Sequence, residues 1–404
     1  MPRVVLLLPT STYRAPDFVH AARALGVEIV VASEEPPTLA DPEGRRTAVV
    51  ALDDPERAAD ELVALDARAP VDAVIAVDDR GVVAAARAGT RLGFPVNPVE
   101  AVERTRDKAA MRVALAVGEI PQPRFAVGDD PEALVRALDA VGLPCVVKPV
   151  GLAASRGVIR ADDPEGVRAA AERALAIAGT GPLLVEEFVP GDEIAVEALL
   201  RDGRLDVLAV FDKPDPLEGP YFEETIYVTP SRHDHAVLAR AEQLVADAAA
   251  ALGLREGPVH AELRVDVTSN RMWIIEIAAR TIGGLCARTL RFGAGVSLEE
   301  VVLRHALQLP IDGLVREPAA SGVMMLPIPS AGTLHAVRGR DEARAVPGIV
   351  GLEITIPIGR PVVPLPEGDR YLGFLFARGE TPDEVEQALR TAHACLEFDI
   401  TPGS

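Results

Sequence analysis

Two glutamates, Glu262 and Glu276, stand on either side of a short polar turn in a stretch rich in apolar residues. The surrounding pattern predicts a β-hairpin with its turn at residues 268–270. If the turn is centred on Ser269, Glu262 lies directly opposite Glu276. Like charges in that position destabilise a sheet, and a hard divalent cation, Mg²⁺ or Mn²⁺, would remove the repulsion. The pair therefore predicts a metal site, and two solvated glutamates on a sheet surface are the alternative.

Lysine is rare in this chain, because arginine supplies nearly all of the 41 basic residues and only Lys108, Lys148 and Lys213 remain. A compact ammonium suits a single phosphate oxygen in a tight site better than a planar guanidinium does. Lys108 opens a predicted helix, and Lys148 ends a predicted strand before a loop of small residues. These two lysines predict phosphate contacts. The alternative is that three lysines escaped replacement by chance, and Lys213 receives no role from the sequence.

The loop that follows Lys148 joins two predicted strands through small residues, including Ser155 and Gly157. Backbone N–H groups and a hydroxyl in such a loop can surround phosphate oxygens. The segment has neither the GxGxxG nor the Walker A pattern, since the lysine precedes the small residues. An ordinary hairpin connection explains the loop equally well.

A third segment, residues 183–193, ends a strand in two acids, turns at a Pro-Gly pair and resumes with Glu193. The carboxylates of Glu186 and Glu193 could accept a hydrogen bond from an adenine amino group and bind a ribose diol. A solvated turn would have the same composition.

The remaining pattern predicts the elements that position these groups. Strands and helices alternate over residues 1 to about 100, which indicates a parallel sheet covered by helices. Its strand ends bear hydroxyls at residues 9–12 and acids at Asp78 and Asp79, which either contact a ligand or form ordinary turns. Four domains are expected: an N-terminal α/β domain (1–105), a lid (106–190), a larger subdomain with the metal site (191–312) and an α+β C-terminal domain (313–404).

Composition excludes several classes of function. A formal net charge of −20 over 404 residues repels a phosphate backbone, so nucleic acid is not an expected partner. No segment approaches the ~20 apolar residues that a membrane helix needs. The three cysteines are odd in number and far apart, which predicts reduced thiols in the cytoplasm.

Taken in order, these motifs resemble the ATP-grasp ligases: a lysine, a second lysine before a small-residue loop, an acidic strand end, and two glutamates on a hairpin. The resemblance covers roughly residues 1–310. Further stretches at residues 220–230, 276–280, 324–332 and 371–377 are similar to the L-amino-acid ligase branch, whose members join two amino acids. The implied fold class is α/β and α+β, an ATP-grasp fold with an N-terminal parallel α/β domain and a C-terminal α+β extension.

The resemblance also implies roles. The residues implied for ATP are Lys108, Lys148, Ser155, Gly157, Glu186, Glu187, Val189 and Glu193. Glu262 and Glu276 would hold magnesium or manganese, and Lys148, Glu276 and Arg280 would be catalytic. Glu224, Tyr227 and Arg280 would contact the substrates. Many family members have asparagine two residues after the second metal glutamate, where this chain has Ala278, so a second ion would lack one ligand.

The implied reaction joins a carboxylate and an amine through an acyl phosphate, and it releases ADP and phosphate. A homodimer is common among proteins of this kind. Two alternatives stay open: a purine-pathway or carboxylase-type ATP-grasp enzyme, and a non-catalytic ATP-binding sensor. An NAD-dependent enzyme is disfavoured because no glycine fingerprint follows the first strand.

Overall fold

The computed structural model describes residues 1–10, 12–35 and 46–402. Its first part is a parallel sheet in the order β3-β2-β1-β4, as the alternating pattern predicts. The elements are β1 (Arg3–Leu7), α1 (Ala15–Leu25), β2 (Glu28–Ser33), β3 (Thr47–Val49), α2 (Pro55–Arg68), β4 (Ala73–Ala76) and α3 (Val82–Leu92). The acids Asp78 and Asp79 follow β4 at the carboxyl edge of this sheet. Of the hydroxyls expected there, Ser11 lies outside the described residues.

The second part is an antiparallel sheet in the order β5-β8-β6-β7, with helices packed against it. Its elements are α4 (Val99–Arg106), α5 (Lys108–Val117), β5 (Phe125–Gly128), α6 (Pro131–Arg136), α7 (Leu138–Val141), β6 (Cys145–Pro149), β7 (Ile159–Ala161), α8 (Pro164–Ala178) and β8 (Leu183–Glu187). Lys148 lies on strand β6, where it pairs with Leu184 of the neighbouring strand β8. The small-residue loop connects β6 to β7.

The third part supplies the hairpin and most of a long antiparallel sheet. Its elements are β9 (Asp192–Arg201), β10 (Arg204–Lys213), β11 (Ile226–Thr229), α9 (His235–Leu252), β12 (Gly257–Asp266), β13 (Arg271–Ala278), a 3-10 turn (Cys286–Thr289) and α10 (Leu298–Ala306). The alanine-rich helix α9 covers one face of β9, β12 and β13, and this contact forms a large apolar core.

The C-terminal part extends that same sheet. Its elements are β14 (Ala320–Leu326), β15 (Gly332–Arg338), α11 (Arg340–Ala345), β16 (Ile349–Ile354), β17 (Pro361–Val362), β18 (Gly373–Gly379), α12 (Pro382–Ala394) and β19 (Glu397–Thr401). The eight strands run β13-β12-β9-β10-β11-β14-β18-β16, and β17-β15-β19 form a small separate sheet. The long sheet thus continues across residue 312, where the sequence pattern places a domain boundary.

Helix α10 also crosses an expected division. It lies within residues 191–312, the range expected to form the larger subdomain. Val302 and Leu303 of α10 pack with Val4, Leu6 and other buried residues of the N-terminal sheet. The helix therefore fixes the parallel sheet against the long sheet. Within the described ranges, no helix is long and apolar enough to cross a membrane.

Candidate active site

Two cavities meet inside the molecule at a shared wall of acids and small residues. The first is a cleft between the β5-β8-β6-β7 sheet and the long sheet. The second lies between the N-terminal sheet, the long sheet and residues 369–371 of the C-terminal part. The residues that line both cavities are Ala153, Ala154, Ser155, Glu224, Glu262 and Glu276. A group bound in the first cavity can therefore reach a group bound in the second.

The predicted hairpin forms, and Glu262 of β12 pairs with Glu276 of β13. A β-bulge produces this register, because Leu263 pairs with Ile274 and Ile275 is the extra residue. Bulges commonly redirect a side chain at a functional site. The two carboxylates thus lie side by side at the junction, with 20% and 29% of their side chains exposed.

Each of these glutamates contacts a lysine. The Nζ of Lys108 lies 3.3 Å from Glu276 Oε2 and donates a 2.7 Å hydrogen bond to the carbonyl of Leu152 in the small-residue loop. The Nζ of Lys213 lies 3.2 Å from Glu262 Oε1. Lys108 therefore links the hairpin to the loop.

Lys148 forms a buried ion pair that the sequence did not reveal. Its Nζ lies 2.5 Å from Glu186 Oε2, and Glu186 Oε1 accepts a 2.5 Å hydrogen bond from Arg112 Nε. Burial raises the pKa of Glu186, but Arg112 and Lys148 outweigh that effect and lower the pKa to about 2. Burial lowers the pKa of Lys148, and Glu186 opposes this. The predicted adenine contact of Glu186 thus competes with two strong ion pairs.

Arg112 also anchors strand β13. Its Nη1 donates to the carbonyl of Ile274 (3.1 Å), and its Nη2 donates to the carbonyl of the bulge residue Ile275 (2.6 Å). The side chain is fully buried. In a chain where arginine replaces lysine almost everywhere, nothing local distinguishes this arginine from the exposed ones. Arg112 connects the position of Lys148 to that of Glu276.

The other residues expected near the base of a nucleotide line the same cleft. Glu187 and Val189 both face it, together with the ring of Phe188. Glu187 Oε2 accepts a 3.0 Å hydrogen bond from Arg124 Nε near the surface, and Val189 is buried. The ring centroids of Phe188 and Phe222 lie 6.4 Å apart, so two aromatic rings form one wall of the cleft. This part of the cleft therefore combines aromatic and apolar side chains with acidic ones.

Lys213 forms the centre of a buried acidic cluster. Its Nζ contacts Glu193 Oε1 at 2.7 Å, Glu224 Oε1 at 2.6 Å and Glu262 Oε1 at 3.2 Å, and it lies 5.0 Å from the ring of Tyr227. These are the residues expected to meet ribose, substrate and metal. The rarity of lysine was the one sequence signal for this position.

The carboxylates of this cluster influence one another. Burial raises the pKa of Glu224, and the nearby charge of Glu262 raises it further, against the opposing effect of Lys213. Burial raises the pKa of Tyr227 well above its ordinary value. Glu193 Oε2 also lies 2.9 Å from Arg264 Nε, so both of its oxygens have a cationic partner. The negative charges of these carboxylates are therefore balanced by the buried cations Lys213 and Arg264.

Arg280 is held from the N-terminal sheet. Its Nε lies 3.0 Å from Asp79 Oδ2, and Asp79 Oδ1 lies 3.0 Å from Arg106 Nη1. Burial raises the pKa of Asp79, but the two arginines outweigh it and lower the pKa overall. Arg280 lines the second cavity together with Glu262 and Glu276. Of the strand-end acids, Asp79 thus positions Arg280.

A second buried pair orients Glu262. His260 Nδ1 lies 3.1 Å from Glu197 Oε2, and His260 Nε2 lies 3.6 Å from Glu262 Oε1. Burial lowers the pKa of His260, but both carboxylates outweigh it and raise the pKa to about 8. Glu197 also accepts hydrogen bonds from the backbone N–H of Ile282. Neither His260 nor Glu197 was identified from the sequence.

The small-residue loop closes over the junction. Ala154 and Ser155 have positive φ angles of 58° and 54°, and both line the two cavities. Gly157 has a φ of 69°, and its N–H donates a 2.9 Å hydrogen bond to Pro366 of the C-terminal part. Gly157 lines neither cavity. Its amide therefore fixes the loop in this closed position, and its predicted phosphate contact stays a prediction.

The donor chemistry of the residues at the junction suits a magnesium ion. Glu262 and Glu276 offer hard oxygen ligands on neighbouring strands, and both face the cleft and the second cavity. Two side-chain carboxylates leave the remaining positions for water and phosphate oxygens, which is the usual arrangement for Mg²⁺. Ala278 on β13 offers no side-chain oxygen.

Comparison with known protein families matches three consecutive parts of the chain. Residues 19–96 match the ATP-grasp N-terminal domain, residues 141–289 match the ATP-grasp domain, and residues 324–401 match the L-amino acid ligase C-terminal domain 2. The chain belongs to the ATP-grasp family. Within this ATP-grasp family it lies near the L-amino-acid ligase branch, as the stretches at residues 220–230, 276–280, 324–332 and 371–377 indicated.

Individual ATP-grasp proteins extend this comparison. The chain is 28% identical over 273 residues to alanine–anticapsin ligase of Bacillus subtilis, a match that covers 61% of this chain and 56% of that protein. It is 28% identical over 396 residues to the formate-dependent phosphoribosylglycinamide formyltransferase of Burkholderia cenocepacia, covering 94% and 92%. The crystal structure of L-amino acid ligase from Bacillus licheniformis superposes with a TM-score of 0.83 at 24% identity, covering 99% of both chains.

The chain therefore spans little more than half the length of the alanine–anticapsin ligase that it matches. The structural likeness, at 24% identity, confirms the expected ATP-grasp fold. The activity and the substrates of this ATP-grasp protein are matters for proposal.

Proposed function

We propose that this protein is an ATP-dependent ligase that joins the carboxylate of one amino acid to the amine of another through an acyl phosphate. The observation that supports this most directly is the junction of the two cavities. The nucleotide cleft and the second cavity share Glu262 and Glu276, with Arg280 at the border of the second. A γ-phosphate bound at this pair would face a carboxylate bound beside Arg280.

In this proposal the nucleotide lies in the first cavity, with its base against Phe188 and its phosphates toward Lys108 and Lys148. Glu187 and Val189 would contact the base, and Glu193 the ribose. Ser155 in the closed loop would cover the phosphates and exclude water. Magnesium held by Glu262 and Glu276 would supply charge neutralisation at the phosphate oxygens.

The first step is attack of the substrate carboxylate oxygen on the γ-phosphate, which forms an acyl phosphate and releases ADP. Arg280 would orient that carboxylate, and its ion pair with Asp79 holds the guanidinium in place. In the second step the amine attacks the acyl carbon, phosphate leaves, and an amide remains. The chain needs no covalent nucleophile, because positioning and electrostatic stabilisation suffice.

Exclusion of water is the other requirement, since an acyl phosphate hydrolyses. The loop before β7 is fastened to the C-terminal part by the hydrogen bond from Gly157 to Pro366, and Arg173 of α8 forms two hydrogen bonds to Glu367. These contacts support a lid that closes over the reacting groups.

The three thiols are free and two of them are buried, which agrees with our proposal of a cytoplasmic protein.

A second candidate is a purine-pathway ligase that uses formate and a ribonucleotide amine, and the long match to the formyltransferase favours it. A ribonucleotide phosphate needs free cations near the carboxyl edge of the N-terminal sheet. Arg14 is committed there, with hydrogen bonds to Val77 O (2.7 Å) and Thr281 Oγ1 (2.6 Å). The backbone N–H of Thr10 donates to Glu34, an acid. Arg370 of the C-terminal part lines the second cavity and could take a phosphate, so we rank this candidate second only on the groups at the sheet edge.

A screen of substrates tests the proposal. The protein is incubated with ATP, Mg²⁺ and pairs of amino acids, and ADP release and dipeptide mass are measured. Formate with glycinamide ribonucleotide serves as the comparison arm. We expect ADP and a condensation product from amino-acid pairs. ADP from the comparison arm alone would establish the second candidate, and nucleotide binding without ADP release in any arm would indicate a sensor.

Replacing Lys148 with alanine is expected to raise the KM for ATP by about 10- to 100-fold, because a charged contact to phosphate is worth ~1.5–3 kcal/mol. Glu186 keeps its ion pair with Arg112 in this variant, so the fold should be preserved. The KM and the directly titrated affinity for ATP are compared with wild type. Arg168→Ala, an exposed lid arginine paired with Glu132, is the control. An unchanged ATP affinity in Lys148→Ala would remove the phosphate role.

A further inference from the structure

Three arginines line the second cavity, and they differ in how many of their guanidinium N–H groups already contact protein atoms. Arg14 is buried and donates to Val77 O and Thr281 Oγ1. Arg280 pairs with Asp79 and donates to the carbonyl of Thr281. Arg370 enters the cavity from the C-terminal part. The first two are therefore fixed by protein groups.

Arg370 keeps most of its hydrogen-bonding capacity. Its side chain is 61% exposed, and across the residues that the structure describes its ion-pair partner is the neighbouring Asp369, at 3.8 Å from Nε. A guanidinium has five N–H donors in a planar fork that matches a carboxylate. The guanidinium of Arg370 can therefore bind the carboxylate of a ligand in the cavity.

The backbone beside Arg370 is anchored. The carbonyl of Tyr371 accepts a 3.0 Å hydrogen bond from Thr355 Oγ1, and the N–H of Leu372 donates to Leu326 O at 2.9 Å. The side chain of Tyr371 lines the same cavity. The guanidinium thus extends from a fixed point in the cavity wall.

The proposed reaction indicates which carboxylate this is. The reacting carboxylate must lie at the junction, beside Glu276 and Arg280, where the γ-phosphate is expected. The acyl donor, as an amino acid, then offers an ammonium and no second carboxylate in its backbone. The amine substrate keeps its carboxylate throughout the reaction. A non-reacting carboxylate at the C-terminal wall therefore belongs to the amine substrate.

We infer that Arg370 binds the carboxylate of the amine substrate. The inference rests on the proposed function and adds to it the residue that recognises this substrate. Arg370 is a specificity residue in this account, since it holds the nucleophile and does not touch the reacting phosphoryl group.

The test uses the amino-acid pair that releases most ADP in the screen above. The acyl donor is kept constant, and the amine is supplied either as the free amino acid or as its α-carboxamide, which lacks the negative charge. The variants are Arg370→Gln and Arg370→Lys. The control is Arg338→Gln, an exposed C-terminal arginine that pairs with Asp399 and lines neither cavity.

In wild type and in the Arg338→Gln control, we expect the free amino acid to have a KM about 10- to 100-fold below that of the carboxamide. Arg370→Gln should raise the KM of the free amino acid by that factor and leave the KM values of ATP, acyl donor and carboxamide unchanged. Arg370→Lys, which keeps the charge without the planar fork, should recover part of the loss.

Equal use of carboxamide and free amino acid by wild type would overturn the inference and leave the proposed function intact. A rise in the KM of the acyl donor in Arg370→Gln would also overturn it, because the arginine would then serve the other substrate. Absence of ADP release with every pair, carboxamides included, would overturn the proposed function and this inference together.

Discussion

Replacing Glu276 with glutamine is expected to reduce ADP formation by at least about 10²- to 10³-fold, the usual result of removing one preorganised electrostatic contact at a transition state. Glutamine keeps the size of the side chain and removes the charge that faces Glu262 across the bulge. The charge of Lys108 would also lose its partner at 3.3 Å. The concentration of Mg²⁺ needed for half-maximal rate should rise in the residual activity.

The control for this variant is Glu242→Gln, an exposed position on α9 away from both cavities. Thermal unfolding of both variants shows whether the fold is kept. A Glu276→Gln protein that releases ADP at nearly the wild-type rate, with an unchanged Mg²⁺ requirement, would remove this residue from the metal site.

Replacing Lys213 with methionine is expected to lower the free energy of unfolding by about 3–5 kcal/mol, since breaking a buried ion pair leaves an uncompensated charge. Lys213 is the shared partner of Glu193, Glu224 and Glu262, with 3% of its side chain exposed. Equilibrium unfolding in urea measures the loss. Arg204→Met, at the exposed start of the same strand, is the control.

A second substitution makes this test specific to the cluster. Glu224→Gln in the Lys213→Met background removes one of the three carboxylates that repel each other, so it should recover part of the lost stability. In the wild-type background the same change removes an ion pair at 2.6 Å and should destabilise. Equal effects in the two backgrounds would show that Lys213 and Glu224 are not coupled.

The hairpin was predictable because alternation and a turn signal are local properties. The register came out as predicted for a reason that the sequence does not contain. Next to the turn, the paired residues are symmetric about a point midway between Thr268 and Ser269, as the pair Asp266 and Arg271 shows. A turn centred on Ser269 would require a register that differs by half a residue. The bulge at Ile275 restores the pairing of the glutamates, and Arg112 holds the bulge from another part of the chain.

Helix α10 shows a signal that was present and missed. Ser297 accepts a hydrogen bond from the N–H of Glu300 at 3.2 Å, so the sequence has the Ser-x-x-Glu pattern that begins many helices. By contrast, no local pattern could place β11 beside β14, whose pairing of Ile226 with Met324 joins distant segments. The continuity of the long sheet across residue 312 depends on that contact.

Among the site residues, those in short motifs were identified and their partners were not. The sequence pointed to Lys148 and Arg280 because each lies at a recognisable strand end, and to Glu262 because it faces a second glutamate on a hairpin. Asp79 was expected either to contact a ligand or to form an ordinary turn, and the structure pairs it with Arg280. The partners come from separate elements, so their roles appear only when the chain is folded.

The central claim is that a substrate carboxylate attacks ATP at the junction of the two cavities. Transfer of ¹⁸O tests it most directly. The acyl donor of the best amino-acid pair is labelled with ¹⁸O in its carboxylate, and the released phosphate is examined by ³¹P NMR. An acyl phosphate requires that one labelled oxygen leave with each phosphate, and this is the expected result. Phosphate that forms together with the condensation product but bears no label would contradict the account.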